Sequence, residues 1–222
     1  MRKLIHDFFN YLRNPVNIPI KRPLIKYLLY LFVIALISDF FFGFIANVIS
    51  THFHLRNLVM VSLRGNIFLM GILFAPICEE LFFRSLLKFR KINLILFVCS
   101  IIAYGILAVL HSKLVNLTIQ LSLLISFIIL VTTIPISKIE EFINSKFKYF
   151  FYASCLTFGL LHIGNYSGNI YILIAFSVLL AGPQIVAGFI LGYIRMNYGL
   201  FYSILLHMSI NAFFLFLIHN HL

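Results

Sequence analysis

Between Tyr27 and Ile49 the chain carries one charged side chain, Asp39, in an otherwise almost unbroken apolar run. A bilayer core about 30 Å thick is crossed by about 20 apolar residues in a helix. Backbone groups in hydrocarbon have no water to bond, so such a stretch satisfies them within its own helix. Comparable runs at 66–87, 92–110, 114–136, 150–165, 171–194 and 199–218 bring the expected spans to seven, with room for an eighth. The chain is 62% hydrophobic and 10% charged, with a mean hydropathy of +1.05, more apolar surface than a soluble domain of 222 residues needs. The expected fold is an all-α polytopic membrane bundle. A basic cytoplasmic segment, 1–26, precedes one transmembrane domain, 27–222.

The net charge of +11 does not indicate nucleic acid, because the basic residues lie in short segments between apolar runs. Sorted over the loops, thirteen fall on one side (Arg2, Lys3, Arg13, Lys21, Arg22, Lys26, Lys88, Arg90, Lys91, Lys138, Lys146, Lys148 and Arg195). Three, Arg56, Arg64 and Lys113, fall on the other. The positive-inside bias then puts the N-terminus in the cytoplasm and, with seven spans, the C-terminus outside. The basic segments are expected to meet acidic lipid headgroups. Met1 to Lys26 is polar and Pro-containing, which does not read as a cleavable signal. Cys78, Cys99 and Cys155 all sit in apolar runs and read as inert packing.

Six residues in the chain are acidic, and two of them, Glu79 and Glu80, are adjacent inside the second expected span. A carboxylate at membrane depth is costly unless paired, and such groups usually mark function. Arg84 follows Glu80 by four residues, on the same helix face, and is its expected partner. Glu79 is then free for chemistry. Pro76, three residues earlier, is expected to bend the helix beside the pair.

Two further polar signals lie in apolar runs: Phe158-Gly-Leu-Leu-His162 and His207-Met-Ser-Ile-Asn211. His207 and Asn211, four apart, share a helix face. A carboxylate, two imidazoles and an amide suit hydrolysis, in which a base takes a proton from water and donors hold the oxyanion. A carboxylate and two histidines also suit zinc, which Glu79, His162 and His207 would hold if a metal takes part. Asn165 follows His162 closely. Gln184 adjoins Gly182-Pro183, where a helix is expected to break, as lipid-buried chains allow beside a cavity. Both are candidate cavity residues. Gly188 and Gly192 have the spacing of close helix packing. Asp39 has no evident partner.

The motifs EExxxR, FxxxH and HxxxN, in this order on membrane helices, resemble those of the CAAX-protease and bacteriocin-processing (Abi) family. That family includes Ras-converting CAAX endopeptidases and lysostaphin-resistance-protein-A-like bacterial proteins. The resemblance covers about 65–214. It implies an intramembrane endopeptidase in which Glu79 and His162 activate water while His207 and Asn211 stabilise the oxyanion. Arg84 would orient and neutralise Glu80. The substrate would be a membrane-associated peptide or protein, and the expected location is a bacterial cell membrane. The resemblance leaves open whether a divalent metal such as zinc takes part. One departure is the interval from Glu80 to His162 (162 − 80 = 82 residues), which is longer than family members commonly show. A second histidine, His111, lies 31 residues after Glu80 but lacks the phenylalanine four residues before it. The alternative functions are a non-proteolytic member serving as membrane scaffold, regulator or bacteriocin immunity protein, and a proton-coupled transporter. Every motif position is filled, against the first, and no inverted repeat is visible, against the second.

Overall fold

The structure, a computed structural model, describes residues 2–59, 70–110 and 134–219, with a few isolated positions between 118 and 133. Most of the expected fourth span, 114–136, lies outside the described residues, as do His111, Arg64 and Lys113.

The described chain is almost entirely helical. An amphipathic α1 (Arg2–Arg13) leads into the long α2 (Ile25–His52). A π-helical turn, Met70–Phe74, runs into α3 (Ala75–Arg84) and a 3-10 turn, Ser85–Leu87. Then come α4 (Lys91–Leu110), α5 (Ile136–Ser145) and α6 (Phe147–Leu161), the last ending in a 3-10 turn, His162–Asn165. Short helices α7 (Ile170–Ala175) and α8 (Ser177–Leu180) precede α9 (Gly182–Tyr198) and α10 (Leu200–His219). Two-residue strands β1 (Arg56–Asn57) and β2 (Tyr166–Ser167) pair antiparallel and tie the end of α2 to the loop after α6.

The all-α class is as the sequence implies, but the span count is not reproduced. Among the described residues, Ile25–His52 and Leu200–Leu217 are long and apolar enough to cross a bilayer. Lys91–Ala103 is a shorter apolar helix. The expected sixth span, 171–194, is three helices, interrupted at Phe176 and Ala181, and Pro183 sits in the first turn of α9. A proline in a first helical turn forfeits no intrahelical bond, so the ring starts a helix here and does not kink one.

Helix α9 is the axis of the bundle, packed by α2, α6 and α10, and it is buried almost continuously from Ala187 to Tyr198. Glycine makes this possible on the α6 side. A Cβ at Gly188 would lie 2.6 Å from the Cys155 carbonyl oxygen, and one at Gly192 would lie 2.8 Å from Cys155 Sγ. From the facing helix, a Cβ at Gly159 would lie 2.6 Å from Ile185 Cα. In lipid, where helix association rests on van der Waals contact, small residues let backbones approach this closely. The outer face of α2 is opposite in character: Val33, Ile37, Phe41, Phe44 and Val48 are exposed, as a lipid-facing surface would be.

One end of the bundle gathers the N-terminal segment and the basic loop after α3. Lys88 Nζ donates to the Ile18 carbonyl, and Lys21 N donates to the Asn197 carbonyl at 2.7 Å. Helix α1 buries Leu4, Phe8 and Tyr11 at this end, and Tyr152 Oη donates to the Leu12 carbonyl. Gly159→Ala should therefore be costly although the change is one methyl group, because the contact is with backbone, which cannot rotate away. Overpacking of this kind costs about 1–3 kcal/mol. Melting in detergent should show a lower transition temperature for Gly159→Ala and an unchanged one for Gly43→Ala, since a Cβ at Gly43 meets nothing within 4 Å.

Candidate active site

Successive residues on an α-helix point about 100° apart, so Glu79 and Glu80 cannot share an environment. Glu80 turns into the bundle and is fully buried, whereas the Glu79 side chain keeps 19% exposure. Arg84, one turn on from Glu80 and also fully buried, places Nη1 3.7 Å from Glu80 Oε1. The expected pair exists. The guanidinium lies 4.0 Å over the face of Phe158, a cation–π contact, and its Nη2 donates to the Gly188 carbonyl at 3.4 Å.

Glu80 has two more partners, both from α10. Ser203 Oγ lies 2.5 Å from Glu80 Oε2 and 3.0 Å from the Leu191 carbonyl oxygen. A hydroxyl has one proton, and the shorter contact to a carboxylate takes it. His207 Nδ1 lies 3.2 Å from Glu80 Oε1. Ser203, His207 and Asn211 recur at four-residue intervals, so α10 presents one polar stripe to α3. The other ring nitrogen, His207 Nε2, lies 3.7 Å from Glu79 Oε2. His207 thus bridges the two glutamates, one with each nitrogen.

His162 reaches the same oxygen, with Nε2 3.9 Å from Glu79 Oε2. Its orientation comes from the end of α6. The backbone N–H of His162 bonds the Gly159 and Leu160 carbonyls as the helix tightens into a 3-10 turn, which leaves the Phe158 carbonyl without its usual i+4 partner. His162 Nδ1, 2.7 Å away, takes that place. A carbonyl only accepts, so Nδ1 carries the proton and Nε2 faces Glu79. The FxxxH spacing therefore has a local physical reason. The Phe158 ring, 4.9 Å from the His162 ring and 5.5 Å from the His207 ring, also packs beside both imidazoles.

Asn211 is occupied by backbone. Its Nδ2 donates to the Gly71 carbonyl at 2.9 Å. In π register the partner of Gly71 is five residues on, and that residue is Pro76, which has no N–H. Asn211 supplies the missing donor, so one of its amide protons is committed and the other remains for chemistry.

The structure thus brings Glu79, His162 and His207 together and puts Asn211 one turn beyond His207. It shows no hydrogen bond from Gln184 or Asn165 to any of these four residues. Both are half-buried, Gln184 in the first turn of α9 and Asn165 at the end of the 3-10 turn that begins with His162. Among the described residues no three His, Cys, Asp or Glu side chains meet the geometry of a metal site. Zinc ligand atoms at about 2.1 Å in a tetrahedron stand about 3.4 Å apart. The Glu79–histidine separations exceed this by a few tenths of an ångström.

Ser203 was missed: it stands four residues before His207, but a serine in an apolar helix gives no warning of a carboxylate partner. Arg195 gives none at all. Its place among loop residues is corrected by the structure: it lies in the last turn of α9 and is buried. Arg195 Nε donates to the Arg84 carbonyl at 2.9 Å and Nη2 to the Ser85 carbonyl at 3.4 Å. A cation on the last carbonyls of α3 completes orphan acceptors and opposes the negative end of the helix dipole.

The sequence model of one family, described as type II CAAX prenyl endopeptidase Rce1-like, matches residues 62–213. No curated protein and no solved structure matches the chain.

Breaking a buried pair from one side leaves an uncompensated charge, at a cost of about 3–5 kcal/mol, whereas removing both charges is far milder. Arg84→Met alone should lower abundance and melting temperature sharply. The double variant Glu80→Gln/Arg84→Met should recover most of the loss. Equal melting of Arg84→Met and wild type would contradict the pairing.

Proposed function

We propose, from the premise that this chain belongs to the Rce1-like family of type II CAAX prenyl endopeptidases, that it is an integral membrane endopeptidase using glutamate-activated water. The observation that carries this reading is the meeting of Glu79 Oε2 with the Nε2 atoms of His162 and His207, from three helices, within 3.9 Å.

Charge balance sets the protonation pattern. Arg84 compensates one of the two carboxylates, and a doubly protonated His207 compensates the other, with Nδ1–H directed at Glu80 and Nε2–H at Glu79. Each carboxylate then has a cation beside it at membrane depth, where an unpaired charge is expensive. His162 places Nδ1–H on the Phe158 carbonyl and turns Nε2 toward Glu79. A water molecule between His162 and Glu79 can donate one proton to each and direct its oxygen at a peptide carbonyl.

Glu79 takes a proton from that water as the C–O bond forms and returns it to the departing amine as the C–N bond breaks. His207 Nε2–H turns from Glu79 to the oxyanion, joined by the uncommitted N–H of Asn211, in the manner of preorganised donors. Glu80 does not meet the substrate. It holds His207 in its orientation, and Ser203, Arg84 and the helix end clamped by Arg195 hold Glu80.

The substrate class we propose is a membrane-associated peptide or protein, with a farnesylated CAAX-type C-terminus as the first candidate. We also propose a multi-pass arrangement with the N-terminus in the cytoplasm. Its support is the excess of basic residues on the end of the bundle where Lys88 and the N-terminal segment meet.

Glu79→Gln keeps the volume but cannot take a proton. It should accumulate normally and cleave a quenched-fluorescence farnesylated peptide about 10²–10⁴-fold more slowly, the usual contribution of a positioned base. His162→Ala should fall by a similar factor, whereas His111→Ala should retain most activity. Wild-type cleavage by Glu79→Gln would overturn the peptidase reading in favour of a scaffold or regulator. Activity in His162→Ala and its loss in His111→Ala would move the water site to His111.

A further inference from the structure

The cluster of Glu79, Glu80, Arg84 and His207 leaves one acidic group of the membrane domain unexplained. Asp39 lies at the middle of α2, 14 residues from its first residue and 13 from its last (39 − 25 and 52 − 39). It belongs to the inward stripe of that helix, with Leu31, Ala35, Phe42, Ala46 and Ile49 spaced three or four apart. Leu31, Ala35, Ala46 and Ile49 are buried, and the Phe42 ring seats on Gly182 at the start of α9. Asp39 is therefore held on the face of α2 that meets the bundle, not on the lipid side. Its neighbour Phe40 packs at 6.3 Å against Phe213 and at 5.5 Å against Phe214, which fixes α2 against α10, the helix of His207 and Asn211.

No hydrogen bond or ion pair from any described residue reaches the Asp39 carboxyl, and it is only half-buried. The titratable group whose charge acts on it is His207. The two interact electrostatically, and no hydrogen bond or ion pair joins the Asp39 carboxyl to the imidazole proposed to hold the oxyanion. An acceptor at membrane depth with no donor among the described residues can take one from a ligand. An extended peptide with its carbonyl at His207 carries backbone N–H groups on either side of that carbonyl, and these are donors of the required kind.

We propose that Asp39 is a substrate-binding residue, accepting a hydrogen bond from a backbone N–H of the peptide that lies between α2 and the Glu79–His207 pair. This assignment rests on the peptidase reading. It also gives α2, which otherwise contributes only packing and a lipid face, a share of the active site.

The test compares binding with stability. A carboxyl kept for packing would weaken the fold when removed, whereas an unpartnered one should not. Asp39→Asn and Asp39→Leu should therefore accumulate and melt in detergent at or above the wild-type temperature. Binding is then read with the fluorescent farnesylated peptide on the inactive Glu79→Gln background. Adding Asp39→Leu should weaken affinity about tenfold, the usual scale for losing a hydrogen bond to a buried acceptor. Adding Asp39→Asn, whose amide oxygen still accepts, should cost less. If leucine lowers the melting temperature, the isosteric asparagine carries the comparison. Equal affinity with and without Asp39, while Glu79→Gln is inert, would overturn this assignment and leave the peptidase reading intact. Cleavage by Glu79→Gln, or no binding of the peptide to it, would overturn both.

Discussion

The fully buried carboxylate of Glu80 is the constraint on which the rest of the site depends. A charge in that position has no water to fall back on, and its surroundings are organised around supplying partners from two helices. Arg84 comes from its own helix, and Ser203 and His207 come from α10. Those contacts fix the rotation of α3 about its axis. Once Glu80 is turned inward, Glu79 must present itself about 100° away, toward the gap between α6 and α10. The carboxylate proposed as the base is positioned by the demands of its neighbour.

The same logic extends outward through exposed ends of secondary structure. Three carbonyls lose their ordinary helical partners: Gly71 at the π-turn before Pro76, Phe158 at the end of α6, and Arg84 at the end of α3. Each is met by a polar side chain, from Asn211, His162 and Arg195 respectively. Buried backbone acceptors are rarely left unpaired, and here two of the three donors belong to the site itself. Local helix irregularity and side-chain orientation are thus one problem with one solution. The glycine-lined contact of α6 with α9 lets His162 approach closely enough to join.

The three motifs were legible in the sequence because each is short-range: Glu80 and Arg84, Phe158 and His162, His207 and Asn211 are all four residues apart, so helical periodicity alone places each pair on one face. Their mutual meeting followed from the resemblance and not from spacing, and the structure supports it for Glu79, His162 and His207. Ser203 and Arg195 escaped because their roles are tertiary: a serine hydroxyl and a loop-like arginine acquire meaning only from what packs against them. The broken sixth span escaped for a related reason. Hydropathy measures solubility in lipid and does not register that Phe176 and Ala181 interrupt the helix.

The account stands on direct attack by water, and single-turnover hydrolysis in heavy-oxygen water tests that most directly. If Glu79 acts as a base, the new carboxylate of the first-turnover product carries the heavy oxygen and the Glu79 side chain carries none. If Glu79 instead attacks the peptide carbonyl, expelling the amine, and water then opens the resulting mixed anhydride at the Glu79 carbon, the first product carries an ordinary oxygen taken from the protein, and the label appears in Glu79. That second outcome would contradict the account.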